Sequence, residues 1–149
     1  MKRIIPLLLM LLLALPQAVA QRGLHIDQLF GSELRNRKGS TEVLVTGREA
    51  ARYGLTLFRS LTFQASQKEI LWTESLVRAD RAGATSMEEA RRNARLYYGF
   101  YELKAQPEGK GRYLFYRNGQ LEKGSAGKLT VIYMEGTATI DELKRRFSR

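Results

Sequence analysis

Hydrophobic positions change period several times along this chain, and each change predicts an element. The first run, Ile4 to Leu15, is apolar apart from Pro6, with Lys2 and Arg3 ahead of it and Ala18-Val19-Ala20 behind. A positive start, an apolar centre and a small-x-small end predict a secretory leader over residues 1–20, cleaved after Ala20. About a dozen apolar residues fall short of the roughly 20 that span a bilayer. Cleavage is therefore expected over a retained anchor, with no transmembrane segment left afterwards, and residues 21–149 form a single domain.

Beyond the leader, Ile26, Leu29, Phe30 and Leu34 lie near helical spacing over His25 to Leu34, with Gly31 interrupting them. Arg35 to Ser40 is a polar, basic connector. Thr41 to Thr46 reads as a strand from its β-branched residues. Leu55 to Phe63 reads as a second, with Leu55, Leu57, Leu61 and Phe63 sharing one parity; Arg59 on that parity marks a bulge, an edge or a strand end. Tyr97 to Leu103, Arg112 to Arg117 and Leu129 to Met134 are three more strands, rich in aromatic and β-branched residues. Pro107 to Gly111 and a longer connection beginning at Asn118-Gly119 join them into an antiparallel meander.

Four Ser/Thr-x-x-Glu patterns predict helix starts, the hydroxyl accepting from the third amide and the glutamate reaching back. Thr46 with Glu49 opens a short helix that stops at Gly54. Ser66 with Glu69 opens a longer one through Ile70, Trp72, Leu76 and Val77 to about Arg81. Ser86 with Glu89 opens a helix over Met87 to Arg95, and Thr139 with Glu142 opens Ile140 to Phe147.

Alternation sorts the meander into two faces. Tyr97, Tyr101, Leu103, Tyr113, Phe115, Leu129, Val131 and Tyr133 fall on one; Tyr98, Phe100, Leu114, Tyr116, Ile132 and Met134 lead the other. Both are too apolar for a sheet with one wet side. The expected fold class is α+β: a mainly antiparallel sheet of about five strands with helices chiefly on one face. Parallel pairing by the first strand stays open.

The order of an export leader, a short helix ending in Leu29-Phe30, a strand, a helix pair, the strand Leu96-Tyr97-Tyr98-Gly99-Phe100-Tyr101 and a closing Ile132-Tyr133-Met134-Glu135-Gly136 before a capped helix resembles small secreted α+β proteins of Bacteroidetes, grouped as domains of unknown function. The resemblance implies fold and compartment. It brings no catalytic residue.

Composition sharpens the compartment and narrows the chemistry. There is no cysteine, so an exported domain of this size must stand on packing alone, without disulfides or a lipid-bearing cysteine. The 149 residues carry a formal net charge of +10. Without Lys2 and Arg3 about +8 remains, an attraction to anionic lipid headgroups or acidic glycans, or a solubilising surface. With one histidine, His25, neither a His-based triad in its usual context nor structural zinc is expected. Asp27, Asp80 and Asp141 are too scattered for a calcium loop. The glycine clusters at Gly109 to Gly111 and Gly124 to Gly127 read as turns between strands. Lys110 to Phe115 departs from RNA-recognition spacing, and export removes most RNA, so no nucleic acid is expected. No catalytic, cofactor-binding or metal-ligating residue is assigned.

Two functions from different classes remain. The first is a non-catalytic periplasmic or envelope module binding an unknown protein or envelope component through an aromatic sheet face: Tyr98, Phe100, Leu114, Tyr116, Ile132 and Met134. The second is a basic protein docking on anionic lipid or glycan through Arg91, Arg92 and Arg95 or Lys144, Arg145 and Arg146. Both basic clusters fall late in predicted helices, where cations also suit the helix dipole. A third option is an enzyme such as a carboxylate-pair hydrolase, which needs two acids brought together by the fold.

Overall fold

The computed structural model describes residues 23–31, 33–122 and 127–147. The predicted leader lies outside them. The described chain runs α1 (Asp27–Phe30), a 3-10 turn (Glu33–Asn36), β1 (Thr41–Thr46), α2 (Gly47–Ala51), β2 (Leu55–Phe63), α3 (Gln67–Arg81), β3 (Ala84–Arg92), β4 (Arg95–Leu103), β5 (Gly111–Asn118), a second 3-10 turn (Gly119–Leu121), β6 (Leu129–Gly136) and α4 (Ile140–Phe147). The class is α+β, with six strands in the order β1-β2-β6-β5-β4-β3. Every pairing is antiparallel, including that of the first strand.

The sixth strand is β3, where a helix over Met87 to Arg95 was predicted. Ser86 and Glu89 form no cap. The segment instead pairs with β4 across a two-residue turn in which Asn93 and Ala94 both have positive φ, at 53° and 63°. Such a turn matches the twist of a hairpin. Glu89 points one way to Arg81 and Tyr101, while Glu88 reaches Lys144 on the other side. Alternation of two glutamates conceals a strand inside a helix-prone run, and tertiary pairing overrides local propensity.

The remaining helix signals divide by geometry. Ser66 and Glu69 form the full reciprocal box, at 3.2 and 2.9 Å, and Thr139 and Glu142 do so at 3.3 Å each. Thr46 precedes α2 without a side-chain cap. Gly54, with φ of 71°, lies just beyond that helix.

Both faces of the sheet are covered, where helices chiefly on one face were expected. On the first face α1 and α3 bury Ile26, Leu29, Phe30, Ile70 and Val77 against Leu61, Tyr101, Leu114, Tyr116 and Val131. On the second, the shorter α2 and α4 bring Ala50 and Leu143 against Leu55, Phe100, Phe115, Ile132 and Met134. Phe115 packs edge-on against Tyr98 and Phe100, with centroids 5.4 and 5.9 Å apart. The register shift in β2 comes between Leu55 and Leu57, so Leu55 joins the second core while Leu61 and Phe63 join the first. Arg59 is no bulge: its guanidinium lies 4.6 Å over the Phe30 ring and 3.7 Å from Glu42.

Candidate functional site

The aromatic patch predicted from alternation does not exist as one surface. Phe100 pairs with Phe115 and Phe115 with Ile132, whereas Leu114 pairs with Tyr101 and Tyr133. Leu114 and Tyr116 therefore belong to the first core, and Phe100, Ile132 and Met134 to the second. All five are buried, and only Tyr98 is partly exposed. Alternation gives β4 and β6 their observed relative faces, but the register sets β5 one residue out of phase with that pattern. A one-residue offset exchanges the two sides of a strand. Burial also pushes the Tyr116 hydroxyl far above its ordinary pKa, with Glu74 adding to the shift and Arg95 opposing it.

Of the basic residues, Arg91, Arg92 and Arg95 surround a hairpin turn instead of ending a helix. Arg92 lies 4.3 Å over the Tyr97 ring, and Arg95 approaches the buried Glu74 at 3.4 Å. Glu122 binds both the Tyr97 hydroxyl, at 2.7 Å, and Arg117. Lys144 pairs with Glu88 at 2.6 Å, which raises its pKa, and Arg145 Nε donates to the Asp141 carbonyl at 3.3 Å. Arg146 lies over Tyr53, 5.2 Å from the ring centroid. The six cations thus occupy two separate places, and most already serve internal contacts.

Asp27 and Asp80 are two acids the fold brings near each other. Burial raises the Asp27 carboxyl, Arg59 opposes that shift and Asp80 adds to it. Both Asp80 oxygens are occupied by the start of α1: Oδ1 accepts from the His25 amide at 2.7 Å with His25 Nδ1 at 2.9 Å, and Oδ2 accepts from the Ile26 amide at 2.8 Å. The geometry is that of an anchor for the N-terminal turn, since a carboxylate meets the exposed amides of a helix start. Among the described residues no three His, Asp or Glu side chains converge as metal ligands.

The most apolar opening among the described residues lies at the β1 end of the second face. Val45, Ala50, Tyr53, Leu55 and Phe58 line an apolar cleft of about 250 Å³. Its floor comes from β1 and β2 and its wall from α2, and Arg146 of α4 lies over the ring of Tyr53. Beside it β1 is the end strand of the sheet, with Val43 38% exposed on the cleft side and Leu44 62% exposed on the opposite side; Tyr53 is 47% exposed. Alternation alone did not expose this site. The consecutive apolar residues Val43-Leu44-Val45 were the available signal, because a strand with apolar side chains on both sides needs cover on both.

Fold and site together define a small α+β protein: a six-stranded antiparallel sheet, helices on both faces and an open apolar cleft at one end. The chain belongs to DUF6108, a family of unknown function, which it matches over residues 13–147. No curated protein and no solved structure matches it. Among the described residues no helix is long and apolar enough to cross a membrane.

Proposed function

We propose that the mature chain is an exported, non-catalytic binding module of the cell envelope, and that it holds its partner at the β1 end of the second face. The observation that carries this reading is the apolar cleft at the β1 edge of the sheet, with Val43 and Tyr53 exposed on its side. Sites that bind by apolar contact are concave and present few polar groups, and exposed apolar surface beside such a site marks interaction. The buried aromatic residues of the meander support the scaffold in this reading, and the partner touches none of Phe100, Tyr116 or Met134.

Retention of the purified mature protein on native envelope fractions tests it. Val43→Asp combined with Tyr53→Ser is expected to lower retention about tenfold, as removal of an interface anchor does, while Met87→Asp on the opposite edge strand leaves it unchanged. Both replaced positions are exposed, so the fold tolerates them. Equal retention of all three proteins would reject the reading. Salt separates it from charge-driven docking on anionic lipid or glycan through Arg91 or Arg145: apolar retention survives high salt, whereas screening removes the other.

A further inference from the structure

We infer that the cleft takes one acyl chain bearing an anionic head, with Arg146 meeting the head. The inference rests on the binding-module reading and specifies its ligand chemistry. Size is the first support. A methylene occupies about as much space as a water molecule, roughly 30 Å³, so a cleft of about 250 Å³ holds a chain of about eight carbons.

Shape and lining are the second. Val45, Ala50, Leu55 and Phe58 offer no hydrogen-bonding side-chain atom, so the buried part of the ligand needs no polar group. The enclosing residues come from three neighbouring elements, which makes a slot between strand and helix. Charge at the rim is the third support. The Arg146 guanidinium is 5.2 Å from the centroid of the Tyr53 ring, and that ring is itself part of the lining. A head group leaving the slot past Tyr53 meets the positive charge of Arg146. Arg48 and Arg52 ride on or just after α2, the helix that forms the wall, and Glu49 offsets Arg52 at 3.6 Å. A carboxylate or phosphate head on a single chain satisfies both the slot and its rim.

Decanoate and decanol titrated into the mature protein, followed by the methyl NMR signals of Val45, Ala50 and Leu55, test the assignment. Decanoate is expected to shift these signals and leave those of Leu114 and Val131 in the opposite core unmoved. Arg146→Gln is expected to weaken decanoate two- to fivefold, the range of an exposed ion pair, and to leave decanol within twofold. Tyr53→Glu, which puts a negative charge at an exposed rim position, is expected to weaken decanoate further. Equal loss for decanoate and decanol in Arg146→Gln overturns the role of the head group. If decanoate moves none of the cleft signals while Val43→Asp with Tyr53→Ser still lowers envelope retention about tenfold, the acyl ligand is wrong and the binding module stands. If neither effect is seen, both fall.

Discussion

Single residues in this protein carry more than one task, and that makes their effects separable. Glu69 completes the capping box of α3 and also takes two hydrogen bonds from Arg37, at 2.8 and 2.6 Å. Those bonds hold its carboxyl at about 2, against an ordinary value of 4.5. Because the folded value is the lower one, its stabilisation is present above about 4.5 and is lost as the pH falls toward about 2. Arg37→Ala is therefore expected to flatten the stability profile in that acid window while leaving the cap in place, as thermal melts from pH 2 to 6 will show. Ser66→Ala is expected to cost about 1 kcal/mol at neutral pH and to narrow that window less than Arg37→Ala does, since Ser66 also helps to hold the Glu69 carboxyl low. Ala94 has φ of 63°, a conformation that penalises a Cβ. Ala94→Gly is expected to stabilise the hairpin by about 0.5–1 kcal/mol in urea denaturation.

Elements differ in how openly the chain announces them. The Ser66 and Thr139 helices were legible because a local box coincides with a helical apolar stripe, and β1, β2 and the meander because β-branched and aromatic residues recur within them. What stayed hidden was relational. Nothing within Arg112 to Arg117 says whether Leu114 shares a side with Tyr101 or with Phe100, because turn geometry and register decide that. For the same reason the predicted aromatic patch draws on two opposite cores, and nothing local marks the cleft between β1, β2 and α2. Met87 to Arg92 hid a strand because its residues favour helix and only its pairing with β4 settles the matter. The two sides of β3 carry unequal weight. Glu89 receives two bonds from Arg81, at 2.6 and 2.9 Å, and one from the Tyr101 hydroxyl at 3.0 Å, at the edge of the first core. Glu89→Ala is expected to cost about 1–3 kcal/mol by leaving these donors unpaired. Glu88→Ala removes a pair with Lys144 whose carboxylate partner is 55% exposed, and is expected to cost under about 0.5 kcal/mol.

At the scale of the molecule, the two cores have one sheet between them. Leu114 and Phe115 are neighbours on β5, yet one belongs to the α3 side and the other to the α4 side. Loss of packing on either face removes support from the same ladder of backbone bonds, so the cores should melt together. Two positions of the sheet admit no side chain: a Cβ on Gly99 would run into the Tyr101 ring, and one on Gly136 into the Gly54 and Leu55 backbone. Trp72, the single tryptophan, packs against the first core from α3, whereas Leu143 of α4 is fully buried in the second. Leu143→Ala is expected to cost about 2–5 kcal/mol and to move the Trp72 fluorescence transition as far as the far-UV dichroism transition. A single domain of this size unfolding in one step requires that coincidence. A Trp72 midpoint that stays in place while the dichroism midpoint moves would mean that α4 detaches by itself. The cleft beside α2 and α4 would then lie on a subunit of stability separate from the α3 core, and ligand in the cleft would stabilise only that part.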